Sequence, residues 1–312
     1  MGKHGEMGLE FSSSKPKSAD KRPVVELAAG VGAIRSDVRG FARLGLLHRD
    51  LARIEHSRVV IDLAKLDWFD GHMASPMRIV ALHAEARGNS VTFTRPKGDV
   101  ETVLRKNGLL PGAIADHHRT TMPVTEFDLQ SAVRFSLYAK QHLARKEMPR
   151  MSDALRGKFY EGVDELFANS ALHSKSPFGV AVGGQFYPKS SRLDFTLTDG
   201  GRGIPGCLRA SIREQQFTDT SAVQWAMEDY NTTRQGDIPG GLGSKILRDF
   251  IGLNKGKLIV VSNGAFWCQD ANEVKLFQLS HSFPGTAVLL EVNTADRHSY
   301  DLASAPHPRD IW

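Results

Sequence analysis

Apolar positions alternate with polar ones over Leu193, Phe195 and Leu197, which predicts a strand ending at Asp199. Ahead of it, Val163, Leu166, Phe167 and Leu172 recur at helical spacing. Behind it, Ile246, Leu247, Phe250 and Ile251 do the same, directly after the glycine turn IPGGLGSKIL. The apolar run AVLLEV, opened by Gly285 and Thr286, reads as a further strand. Nearer the N-terminus, SRVVIDLAKLDWFDG is strand-like, MASPMRIVALHAEARGN is an amphipathic helix ending at Gly88, SVTFTRP is a strand and GDVETVLRKNGLL a helix. Such alternation predicts an α/β unit with a parallel sheet. Between the two regions, residues 120–129 read as an extended strand and residues 131–145 as a helix with apolar Val133, Phe135, Leu137 and Leu143. Pro149 then breaks the chain before the next helix.

These elements divide the chain into a polar leader expected to be disordered (1–22), an N-terminal α/β unit (23–115), a connecting strand and helix (116–150), a second α/β unit (151–293) and an irregular tail (294–312). No internal repeat interrupts this order.

Within the second unit, Glu165, Asn169 and His173 recur every four residues and so share nearly one helix face. A plain helix edge accounts for them. The alternative is chemical: Asn169 offers its amide oxygen to Mg²⁺, a hard cation that keeps several waters, and Glu165 orients or deprotonates an attacking water. The glycine turn before Ile246 is either a mobile loop or a helix start whose N–H groups attract phosphate.

Gly201, Gly203 and Gly206 spell a dinucleotide-type pattern after a strand. However, residues 207–230 are polar and helical in spacing, without the second buried strand that fingerprint needs about 30 residues on. Residues 252–258 (GLNKGKL) miss the spacing and the final hydroxyl of a P-loop.

The order of these segments carries more than any one of them. A helix with Glu165-x-x-x-Asn169-x-x-x-His173, a strand ending Asp199-x-Gly201-x-Gly203-Ile204, a Gly241-Leu242-Gly243 turn before a helix, and Gly285-Thr286 opening a strand together resemble the Bergerat-type ATPase family. That family includes gyrase B subunits, mismatch-repair ATPases, ninety-kilodalton heat-shock chaperones, sensor histidine kinases and anti-sigma-factor serine kinases. The resemblance implies a two-layer α/β sandwich binding ATP with Mg²⁺. Asp199 would accept a hydrogen bond from the adenine amino group, Gly201 and Gly203 would clear space for the base, and Thr286 would close the adenine end. Asn169 would ligate Mg²⁺, Gly241 and Gly243 would present N–H groups to the phosphates, and Glu165 would serve hydrolysis. Residues 204–240, with Asn231, Thr232, Thr233 and Arg234, would form a lid. Pro239 stands where the family has its first turn glycine, which stiffens the entrance to that lid.

The N-terminal unit is similar to the domain shared by sulfate transporters and anti-sigma-factor antagonists (STAS), on DLAKLDWFDG followed by a helix, a strand and LRKNGLL. Gly71, His72 and Met73 follow Asp70 where antagonists carry a phosphorylated serine, and Ser75 lies too far into the helix. A docking or regulatory module is therefore expected, with His72 as a cap or surface residue. Taken together, the resemblances imply a nucleotide-controlled switch with ATPase activity acting on a protein partner, with ATP-dependent homodimerisation in several relatives. The alternative is a protein kinase of the serine or histidine type.

Composition narrows this little. Of 312 residues, 41% are hydrophobic and 24% charged, ordinary for a globular chain, and the net charge of +5 owes part of its excess to the leader. Nucleic acid is a possible anionic partner, but no interleaving of basic and aromatic residues marks a stacking surface. Cys207 and Cys268 lack zinc spacing and suit a reducing cytoplasm. No apolar run approaches the roughly 18 residues of a membrane span.

Overall fold

A computed structural model describes residues 20–212, 216–228 and 242–301, without the side chains of 242–244. The chain is of mixed α/β build. Its first part runs β1 (Val24–Ala28), β2 (Gly32–Ile34), α1 (Val38–Leu51), β3 (Arg58–Asp62), β4 (Leu66–Phe69), a 3₁₀ turn at Gly71–Met73, α2 (Ala74–Glu85), β5 (Ser90–Thr94) and α3 (Gly98–Lys106). β1, β3 and β5 form a parallel sheet in that order, while β2 pairs separately and in parallel with β4.

The single strand expected over SRVVIDLAKLDWFDG is thus two strands in different sheets. Asp62 accepts the N–H of Ala64 at 2.9 Å and Leu66 donates to the Leu63 carbonyl at 3.0 Å, which turns the chain between them. Helix α1 has no counterpart in the sequence reading. It is capped by Asp37, which accepts from Gly40 N at 2.8 Å.

The second part comprises β6 (Thr121–Phe127), α4 (Ala132–Leu143), β7 (Arg150–Met151), α5 (Asp153–Asn169), a π-helical turn (Ser170–Ser174), β8 (Val180–Tyr187), β9 (Arg192–Asp199), α6 (Gly203–Ser211), α7 (Asp219–Met227), α8 (Leu242–Asn254), β10 (Lys257–Asp270), β11 (Glu273–Asn293) and β12 (Ser299–Tyr300). Its sheet is antiparallel throughout, in the order β10-β11-β9-β8-β6. β6, read from sequence as part of a connector, is an outer strand of this sheet. The tail is not wholly irregular either, since β12 pairs with β7.

Side chains of β10 and β11 alternate between two cores, while the second face of β9 carries the buried polar residues Asp194, Thr196 and Thr198. Leu193, Phe195, Leu197, Leu258, Val260, Leu290 and Val292 face α4, α5 and α8, where they meet Phe135, Phe159, Phe167 and Phe250. Ile259, Val261, Phe283, Ala287 and Leu289 face the other way, onto Ile34, Phe41, Leu44 and Leu47 of the N-terminal unit. Burial on both faces explains why LIVV and AVLLEV read as continuous apolar runs in an antiparallel sheet, where one wet face is usual.

Between the two parts lies a buried polar cluster. His72 is 1% exposed, with Nδ1 3.0 Å from Asp194 Oδ2, so it is neither the cap nor the surface residue its position suggested. Asp194 projects from the face of β9 opposite Leu193 and Phe195, toward the turn carrying His72.

Candidate functional site

Asp199 ends β9, pairs with Thr286 on β11 and Val180 on β8, and is 2% exposed. Odd-numbered residues of β9 face the helices, so its side chain turns toward α5. There Ser170 donates its hydroxyl to Asp199 Oδ2 at 3.0 Å, and Gly201 donates its N–H to Oδ1 at 3.0 Å. The backbone of Thr286, on the neighbouring strand, lies close enough to favour the ionised form as well. Among the described residues no Lys or Arg is paired with this carboxylate. Burial pushes its pKa up to about 6, against the opposing pull of these donors.

Asn169 is the last residue of α5, immediately before Ser170, so it and Asp199 lie on the same side of the sheet. Glu165 sits one helical turn earlier and is half-buried. His173 leaves the expected four-residue series because the helix widens into a π turn after Asn169. That widening brings Ser170 onto Asp199 and aims the turn's carbonyls at the next loop. Arg202 donates its backbone N–H to Ser174 O and its Nε to His173 O, both at 2.9 Å.

The stitching accounts for two glycines differently from the expectation. A Cβ on Gly201 would stand 2.1 Å from Ser174 O, and one on Gly203, whose φ is +73°, would stand 1.8 Å from Asn263 Oδ1. Both positions are filled by protein, so these glycines let the chain pack on itself. Ile204 donates its N–H to Ser262 Oγ at 2.8 Å, and Ser262 Oγ lies 2.9 Å from Thr286 Oγ1. Ser262 thereby ties the start of α6 to the strand partner of Asp199.

Leu242 and Gly243 open α8. Phe159 packs on Phe250, and Tyr300, whose strand pairs with Met151, donates to Leu253 O at 3.3 Å. Helices α5 and α8 therefore run antiparallel, and the start of α8 lies toward the end of α5 that carries Asn169. Gly241, Pro239 and residues 231–234 fall outside the described residues.

The first part of the expected lid holds two helices, α6 and α7, in keeping with the helical spacing read over residues 207–230. Thr218 and Ser221 form a reciprocal capping box on α7, and Leu208, Phe217 and Ala222 bury a small core between the helices. Sequence reasoning missed Ser170, Ser262 and Asn263. Adjacency to Asn169 could have flagged Ser170, but no local signal marks the other two.

The amide oxygen of Asn169 is a donor of the kind a hard cation takes, and among the described residues no cluster of three His, Cys, Asp or Glu could hold a metal by itself. Among those residues, no helix is long and apolar enough to cross a membrane. Compared with models of known protein families and with curated proteins, the chain matches none.

Proposed function

We propose that the helix-covered side of the sheet binds a magnesium–adenine nucleotide, and that its hydrolysis operates a switch read by a protein partner. The observation that carries this reading is Asp199. A carboxylate has about four acceptor positions, and among the described residues the Ser170 hydroxyl and the Gly201 N–H donate to two of them. A further position would suit the amino group of adenine, which offers an N–H donor and brings no positive charge. With a pKa of about 6, the group is mainly ionised at neutral pH and ready to accept.

Asn169 would hold Mg²⁺ through its amide oxygen, and the ion would supply charge neutralisation at the phosphates. Glu165, one turn away on the same helix, orients or deprotonates the attacking water. The N–H groups at the start of α8 suit phosphate. The finer architecture belongs to the same proposal: a Bergerat-type sandwich carrying a STAS-like unit on its second face.

Calorimetric titration with Mg·ATP, run beside a phosphate-release assay, tests the reading. Glu165→Ala is expected to keep binding and lose release. Absence of heat at millimolar Mg·ATP would refute binding, and unchanged release in Glu165→Ala would remove that residue from the chemistry. Label from γ-labelled ATP on a protein side chain, in place of free phosphate, would assign transfer rather than hydrolysis.

A further inference from the structure

The polar cluster between the N-terminal unit and the sheet is built around one imidazole. His72 Nδ1 and Arg192 Nε each lie 3.0 Å from the same oxygen, Asp194 Oδ2. Arg192 also lies 3.6 Å from Asp70 Oδ1 and 3.6 Å from Glu291 Oε2, and its guanidinium stacks 4.4 Å over the Tyr187 ring. The Tyr187 hydroxyl accepts the N–H of Gly71 at 2.8 Å, while Asp70 accepts from Trp68 Nε1 at 2.8 Å and Ser36 N at 3.0 Å. At the margin Lys257 lies 3.9 Å from Glu291 and 3.4 Å from Asp270. The groups of the cluster thus come from the turn after β4 and from β8, β9, β10 and β11.

Charge at the centre of the cluster points to the state of His72. The two buried carboxylates beside it, Asp70 and Asp194, carry two negative charges, and Arg192 between them carries one positive charge. A protonated imidazole completes the balance, and an uncompensated buried charge is costly. We propose that His72 is a proton-operated latch: as imidazolium it holds the N-terminal unit onto β9, and as neutral imidazole it lets that unit loosen.

The tuning of the groups agrees with this role. Burial works to lower the pKa of His72, but Asp194 and Asp70 override it and hold the pKa above the ordinary 6.5. The latch is therefore fully set below about pH 6.5 and is lost as pH rises through the raised value. Burial and the neighbouring Asp194 also push Glu291 upward, so rising pH adds negative charge to the cluster from a second group.

Helix α2 begins directly after the His72 turn, and its far end abuts the candidate site. A Cβ on Gly200 would come within 3.0 Å of His83 Nε2, and the His83 ring lies 4.8 Å from Phe178. Loosening α2 would therefore loosen the backing of the Asp199–Gly201 turn. The latch itself does not depend on what that site binds.

Two measurements on the full chain test the proposal. Histidine-selective NMR, with the His72 signal assigned by its loss in His72→Gln, is expected to give a midpoint above 6.5, and Asp194→Asn is expected to lower it. Hydrogen exchange, corrected for the intrinsic pH dependence, is expected to show protection of α2 and β9 falling at least roughly tenfold from pH 6 to pH 9, a loss of about 1.4 kcal/mol. In His72→Gln the protection should be low and flat with pH. A His72 midpoint at or below 6.5, or protection that does not change with pH in the native chain, overturns the latch. Both readouts come from the unmodified sequence, so a variant that fails to fold leaves the test intact; for that case, the His72 signal is assigned through its contacts to Tyr187.

Discussion

Replacing Asp199 by Asn tests the nucleotide reading most directly. Moving the carboxyl pKa from 3.8 to about 6 corresponds to about 3 kcal/mol by which the unliganded fold, through burial net of its hydrogen-bond donors, disfavours the ionised form. An amino donor bound to the carboxylate would relieve part of that penalty. A hydrogen bond to a charged group contributes about 1.5–3 kcal/mol, so Asp199→Asn should weaken Mg·ATP roughly 10- to 150-fold. The same factor should separate ATP from a purine triphosphate lacking the amino group in the native protein, and the variant should barely discriminate between them.

Protonation offers an internal control. The ionised carboxylate is the acceptor, so affinity is full above pH 7 and falls as pH drops through about 6. At pH 5 only about one carboxylate in eleven remains ionised, which predicts a roughly tenfold loss. The pH dependence of Asp199→Asn reports the nucleotide's own phosphate titration, and the difference between the two curves belongs to Asp199. Calorimetry with both nucleotides at pH 5, 6 and 7.5 provides the numbers. Equal affinity of native protein and variant at pH 7.5, or no selectivity for the amino group, would refute the argument.

Ser170→Ala removes one donor from Asp199 and should raise its pKa further, moving the midpoint of nucleotide affinity above pH 6; the same calorimetric pH series reads it. Gly201→Ala would force a methyl to 2.1 Å from Ser174 O and is expected to cost about 1–3 kcal/mol in denaturant unfolding. Phe135→Ala empties the stack with Phe167, whose rings lie 4.7 Å apart under α4, and should cost about 3–5 kcal/mol in the same measurement.

The sequence showed the local elements that carry the candidate residues more clearly than their surroundings. Asp199, Asn169 and the start of α8 lie where short-range periodicity places them, because a strand end and helix faces are local properties. The joining of β6 to β8 depends on pairing Thr121 with Gln185, a contact no local pattern encodes. Helix α1 carries Gly40, Gly45 and several arginines, yet it buries an apolar stripe of Phe41, Leu44, Leu47 and Leu51 and packs on β11, a helical spacing that the reading of the sequence passed over. The burial of His72 is likewise tertiary, since it requires Asp194 to face it from a strand more than a hundred residues away. The π turn shows a third limit: a clean four-residue spacing of Glu165, Asn169 and His173 concealed a change of helix type.

The sheet has no face to spare for water. A fragment shorn of residues before Thr121 would uncover Ile259, Val261, Phe283 and Leu289 together, an adhesive stripe across neighbouring strands. Such a piece would clump or recruit a substitute cover, so nucleotide assays on an excised C-terminal part would measure a sticky remnant instead of the native molecule.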